Sequence, residues 1–264
     1  MEDQRPEDGF EEIVGDSAAL KRMLKLAIKV ARSDAPVLIL GEAGSGKELI
    51  ARAIHRISAR KNESFVKVNC VLALSAGAPE IDLFGQKKAA QDESHKIEHV
   101  ELANQGTLFL DEIAHLSLDL QAKLLGLLER REIERPGRAK SIPVNLRLIA
   151  TTEYDLGDRV AKETFRGDLY DRLNVFSIPV PALRERREDI PLLARYFMQK
   201  FARRLKKHIE TIPDETIGFL TDSDWPGNVR QLENLIERSV VLTEGLALRV
   251  PRAGSQADSQ AEDR

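Results

Sequence analysis

Residues 36–48 read PVLILGEAGSGKE, an apolar run that breaks into a glycine-rich turn and ends on Lys47 and Glu48. The run predicts a buried strand delivering a phosphate-binding loop. Gly41, Gly44 and Gly46 permit turns that side chains forbid, so the N–H groups of the loop, with Glu42, Ala43 and Ser45 between the glycines, can converge on phosphate oxygens. Lys47 adds a point charge for the β- and γ-phosphates. The helix expected from about Lys47 through LIARAIHRIS aims its positive end at the same place. The full motif places Ser or Thr after the lysine to hold magnesium, and this chain has Glu48 there.

A glycine turn between a strand and a helix is too short a signal to stand alone. Residues 106–113, GTLFLDEI, supply the second: another apolar strand, ending in two adjacent carboxylates. Asp111 is expected to hold the magnesium shell. Glu112 is expected to orient and polarise the attacking water, because phosphoryl transfer is catalysed by placing charge and nucleophile. A strand followed by an acidic helix cap would look similar in isolation. The two motifs together, each at the end of a buried-type strand, point to an ATP-hydrolysing site with Mg2+.

The bulk properties agree. A chain of 264 residues suits one large domain and a smaller one. A formal charge of −3 does not advertise a nucleic-acid footprint. The single cysteine, Cys70, rules out an internal disulfide framework. No apolar run is long enough for a membrane span, and the acidic start MEDQRPEDGFEE is the opposite of a signal peptide, so a cytoplasmic protein with no membrane partner is expected.

Strand-like runs at PVLIL, SFVKVNC, TLFLDE, VNLRLIATT and FSIPV alternate with helical patterns, the rhythm of a parallel sheet covered on both faces. After Arg184 the strands stop, and residues 189–243 read as helices broken at Ile212-Pro213 and at Trp225-Pro226-Gly227-Asn228, with Asn228 a candidate cap. The fold class is therefore α/β, with a parallel sheet flanked by helices and a small all-α domain after it. The expected boundaries are a disordered acidic start over 1–9, the ATPase domain over 10–183, the helical domain over 184–250 and a disordered tail over 251–264.

Further segments extend the pattern: VNC at 68–70, DLFG at 82–85, FRGDLYDRLNVF at 165–176, LRERREDIPLLA at 183–194 and WPGNVRQLENLIERSV at 225–240. In this order and spacing the chain, over roughly Phe10 to Thr243, resembles the AAA+ domain of bacterial enhancer-binding proteins, the ATPases that activate transcription by sigma-54 RNA polymerase. The resemblance makes glutamate the usual residue after the lysine and turns the helical domain into an AAA+ lid. It implies that Asn69 holds Glu112 back until nucleotide is set, and that Thr152 senses the γ-phosphate. Glu153 stands where asparagine or histidine is usual. It further implies that Arg166 and Arg172 reach the adjacent subunit's site in a hexameric or heptameric ring. Arg230 would be the lid arginine that touches nucleotide, and Val14 and Gly15 would meet the adenine. Without the resemblance, each arginine reads as a solvated surface residue and Asn69 carries no signal.

The resemblance fails in one place. Members that act on sigma-54 carry a loop reading close to HEKGAFTGA after LFG, and residues 86–94 here read QKKAAQDES, in a slightly shorter segment. Lys88 and Ala90 survive, while the aromatic, the threonine and the glycines do not. Asp92 and Glu93 would have to be desolvated to dock where a compact aromatic tip does, which argues against ordinary engagement of sigma-54. The stretch after the last helix is too short for a helix-turn-helix domain, so direct sequence-specific DNA binding is not expected. His95-Lys96-Ile97-Glu98-His99 matches an inverted zinc-protease pattern, but such a site needs a third ligand and an open cleft that nothing here obliges, and the run reads instead as a polar helix face. The cluster Arg203, Arg204, Lys206 and Lys207 reads as the wet side of a helix.

The sequence leaves a second class of function standing beside the motor: a nucleotide-dependent regulatory module, or the non-contacting subunit of a mixed ring.

Overall fold

In the computed structural model the described residues are 10–71, 99–133 and 141–251. The chain divides into two units, one holding the residues up to Ile13 and Ala19–Pro181, the other Val14–Ala18 and the residues from Ala182 on.

In the first unit, α1 (Ala18–Ala31) precedes β1 (Val37–Leu40), α2 (Lys47–Arg56), β2 (Phe65–Asn69), α3 (His99–Leu102), β3 (Thr107–Asp111) and α4 (Leu118–Arg130). A short hairpin comes next, β4 (Glu132–Ile133) against β5 (Ile142–Pro143), then β6 (Arg147–Thr152), α5 (Leu156–Ala161), α6 (Gly167–Leu173) and β7 (Phe176–Pro179). Five strands form one sheet in the order β2-β3-β6-β1-β7, and every neighbouring pair is parallel. These are the five strands expected from the apolar runs. The hairpin was not expected, since two residues per strand leave no periodicity to read.

Alternation along the strands feeds two cores. Leu38, Leu108, Leu110, Leu148 and Ala150 pack with Val100 and with Leu124, Leu127, Leu169 and Leu173 from α4 and α6. Their neighbours Val37, Ile39, Phe109, Ile149 and Ile178 pack with Leu20, Met23 and Ala27 of α1 and Ile50 and Ile54 of α2. Both faces of the sheet are thus covered, which is why the strands read as nearly continuous apolar runs.

Register sets the site. Asn69 pairs with Asp111, Leu110 with Ala150, and Leu40 with Thr152, so the carboxyl ends of β2, β3, β6 and β1 finish in one row. Ligands of open α/β sheets bind at that edge.

The second unit contains α7 (Ile190–Arg204), α8 (Asp214–Asp222) and α9 (Asn228–Leu242), around a core of Leu193, Phe197, Phe201, Leu220, Trp225, Leu232 and Ile236. Its buried Asp189 accepts from the N–H groups of Asp16 (2.7 Å) and Ser17 (2.8 Å) and from the Ser17 hydroxyl (2.7 Å), which fastens the 14–18 segment to this unit. Asn228 does not cap α9 as expected. Gly227 holds the cap position, and the Asn228 side chain accepts instead from Leu183 N–H at 2.8 Å. The amide is better used there because Leu183 is fully buried and its N–H needs a partner.

Candidate functional site

The loop between β1 and α2 adopts the conformations that its glycines permit. Gly44 lies at φ 73° and Gly46 at φ 104°, in the left-handed region where a Cβ is penalised. Gly41 is needed for space, since a Cβ there would meet the Val180 carbonyl at 3.0 Å and the Ser45 hydroxyl at 3.1 Å. Lys47 opens α2 and is buried. Its ammonium donates to the Gly41 carbonyl (2.7 Å) and the Glu42 carbonyl (3.2 Å) and pairs with Glu112 Oε1 at 2.8 Å. The two motifs therefore converge on one point.

Glu112 follows the end of β3 at φ 59° and ψ 57°, left-handed for a residue with a side chain. Its carboxylate is engaged at both oxygens, Oε1 by Lys47 and Oε2 by the N–H of Glu153 at 3.0 Å. Asp111 is held at both oxygens as well. Oδ1 accepts from the Thr151 hydroxyl at 2.8 Å, and Oδ2 lies 3.3 Å from the Lys67 ammonium.

Glu48 is not free to take the place of the missing hydroxyl. Arg52 donates to Oε1 through Nε (3.0 Å) and Nη2 (2.8 Å), and Lys67 donates to Oε2 at 2.6 Å. Burial alone would raise the Glu48 carboxyl, but the bonds from Lys67 and Arg52 outweigh it and hold the group below its ordinary range. Burial would likewise lower the Lys67 ammonium, and its bonds to Glu48 and Asp111 raise it instead. The result is an alternating chain of charge, Arg52, Glu48, Lys67, Asp111, beside the separate pair of Lys47 and Glu112. Asp111 remains the protein oxygen ligand whose chemistry suits magnesium, a hard cation that takes one or two carboxylates beside phosphate oxygens.

Asn69 lies beside Asp111 in register, and its Oδ1 accepts from Val71 N–H at 2.9 Å. The Thr152 hydroxyl is taken up locally, donating to the Tyr154 carbonyl at 3.2 Å and accepting from its N–H at 3.0 Å. Arg166 makes a two-point pair with Asp168, Nε to Oδ1 at 3.0 Å and Nη2 to Oδ2 at 2.6 Å, while Arg172 on α6 is exposed. Arg230 projects from the first turn of α9 and is exposed, and Val14 packs on the core of the second unit. The 86–94 segment and residues 95–98 of the zinc-like pattern lie outside the described residues. Glu112, His115 and Glu153 bring ligand atoms within 4.8 Å of one another. Lys47 on Glu112 already supplies positive charge at that cluster.

A family model of the sigma-54 interaction domain matches residues 13–179, and one of an AAA+ ATPase lid domain matches residues 184–263. The chain belongs to the sigma-54 interaction domain family. The formate hydrogenlyase transcriptional activator FhlA of Escherichia coli (strain K12) is 53% identical over 243 residues, covering 91% of this chain and 35% of that protein. The transcriptional regulatory protein ZraR of Salmonella typhimurium (strain LT2) is 47% identical over 236 residues, 88% of this chain and 53% of that protein. Among solved structures, NtrX from Brucella abortus in complex with ADP matches with a TM-score of 0.83 at 36% identity, covering 97% of this chain and 59% of that one. The same protein in complex with ATP gives 0.81 at 37%, covering 94% and 57%. The chain thus spans from a third to somewhat over half the length of these relatives.

Within this sigma-54 interaction domain Thr151 and Lys67 hold site positions that no sequence motif marks. Thr151 sits beside the threonine that the resemblance singles out, and its role depends on which way each side chain points. Lys67 is a lone lysine in a strand, which announces nothing until Glu48 and Asp111 are seen on either side of it.

Proposed function

We propose that this sigma-54-activator-type AAA+ chain binds ATP with magnesium, hydrolyses it to ADP and phosphate, and assembles head to tail into a ring that remodels a protein target in transcription control. The observation that carries the reading is the convergence of Lys47, Asp111 and Glu112 at the carboxyl edge of the sheet, with Lys47 and Glu112 2.8 Å apart. The nucleotide complexes of NtrX support it.

In this reading the loop N–H groups and Lys47 hold the β- and γ-phosphates, and Glu112 accepts a hydrogen bond from the attacking water. Magnesium would supply positive charge against the phosphate oxygens, and Asp111 is the residue that would hold it. Thr152 and Asn69 would report the γ-phosphate to Glu112. Arg166 and Arg172 would stabilise charge on the transferring group of a neighbouring subunit, and Arg230, Val14 and Gly15 would contact the nucleotide. The charged QKKAAQDES segment directs the search for a target away from the usual sigma-54 docking mode.

The test is ATP turnover and sedimentation of the wild-type chain beside Lys47→Ala and Glu112→Gln. Lys47→Ala is expected to lose ATP binding. Glu112→Gln is expected to bind ATP and to lose turnover by about 100-fold or more, as general-base removal does. Wild-type binding without turnover, with assembly changed by ATP alone, would replace the motor with a nucleotide-dependent regulatory module.

A further inference from the structure

Thr151 and Thr152 end β6, and strand alternation sends their side chains to opposite sides of the sheet. The hydroxyl of Thr152 closes a local turn with Tyr154. That of Thr151, fully buried, donates to Asp111 Oδ1 at 2.8 Å and accepts from the Glu112 N–H at 3.0 Å. A hydroxyl has one donor and two acceptor sites, and here both functions are spent on adjacent residues of the same dyad. The bond to Asp111 fixes the rotation of the carboxylate. The bond from Glu112 fixes the peptide that leads into the left-handed turn at φ 59° from which the Glu112 side chain departs.

We infer that Thr151 is a positioning residue that sets the Asp111 carboxylate and the Glu112 backbone together. The inference rests on the proposed magnesium-dependent ATPase. It adds that the two carboxylates are aimed as a unit from the neighbouring strand. The remaining oxygen, Asp111 Oδ2, faces Lys67 at 3.3 Å. Without the Thr151 hydroxyl, Lys67 is the remaining side-chain partner of Asp111 among the described residues, and a carboxylate drawn to a lysine is a poorer magnesium ligand.

Thr151→Val removes the hydroxyl at nearly constant volume, and Thr151→Ser keeps it. Three quantities separate positioning from packing: the magnesium dependence of fluorescent methylanthraniloyl-ATP binding, steady-state ATP turnover, and the thermal unfolding midpoint. Thr151→Val is expected to raise the magnesium concentration for half-maximal nucleotide binding and to lower kcat, each by about 10-fold, the usual effect of losing a partner that orients a metal ligand. KM for ATP at saturating magnesium is expected to move by less than about 2-fold, since the loop and Lys47 are untouched. Thr151→Ser is expected to recover most of both losses.

The inference is overturned if Thr151→Val binds nucleotide with the wild-type magnesium dependence. It is equally overturned if Thr151→Ser matches Thr151→Val in binding and both lower the unfolding midpoint alike, which is what packing alone would produce. A wild-type chain that binds nucleotide but does not hydrolyse it refutes the ATPase reading, while the magnesium dependence of binding still decides for or against Thr151. A wild-type chain that binds no nucleotide overturns both.

Discussion

His55, on α2, shows how a single residue ties the stability of the site's scaffold to pH. Its ring is buried, with Nδ1 2.9 Å from the Thr107 hydroxyl and the Phe65 ring 5.2 Å away. Burial lowers its pKa below 6.5, a bond with the Glu63 backbone opposes this, and the positive charges of Arg147, Arg52 and Arg56 lower it further. Between the folded value and 6.5 the unfolded chain binds a proton that the folded chain refuses. The stabilisation is therefore complete above 6.5 and is lost as pH falls toward the folded value, below which this residue adds no further loss. Denaturant midpoints measured from about pH 8 to pH 5 should decline on the acid side. His55→Gln, which can still bond Thr107 but does not titrate, should give a shallower decline. Equal slopes for the two proteins would remove His55 as the cause.

At the scale of elements, the expected strands match β1, β2, β3, β6 and β7 because each is an apolar run bounded by turn chemistry, and because cover on both faces of the sheet makes most positions of the central strands apolar. The loop and the Asp111-Glu112 pair were legible for a related reason: glycines at fixed offsets and adjacent carboxylates after a strand leave a compositional trace. Thr151 and Lys67 left none, since their meaning lies in what faces them across strands far apart in sequence. The membership of residues 14–18 was hidden in the same way, being decided by Asp189, which lies 173 residues from Asp16. Asp189→Ala would leave the Ser17 N–H and hydroxyl, both buried, without that acceptor. The expected cost is about 3 kcal/mol, given the loss of three hydrogen bonds to a buried carboxylate. Limited proteolysis should also cut faster around residues 14–18 than in wild type, because the segment loses its tether. Unchanged cleavage would mean that the backbone is held by α1 and its neighbours instead.

At the scale of the whole molecule, the question is whether the site completes itself within one chain. Lys47, Asp111 and Glu112 come from one sheet edge, but Arg166 is paired with its own Asp168 and Arg172 is exposed. Exposed guanidinium groups suit a site on another copy, and an interface that joins the arginines of one subunit to the nucleotide of the next is head to tail, the kind that closes into rings. Arg172→Ala should therefore keep nucleotide binding and lose turnover, as should Glu112→Gln. Mixed in equal amounts and allowed to exchange, the two inactive proteins should recover activity. Random assembly places an intact Glu112 site beside an intact Arg172 at about one interface in four. Turnover near that fraction of wild type would place the arginine in trans. An inactive mixture, with exchange verified by mass, would return Arg172 to the surface of its own subunit and leave the ring without a catalytic reason to form.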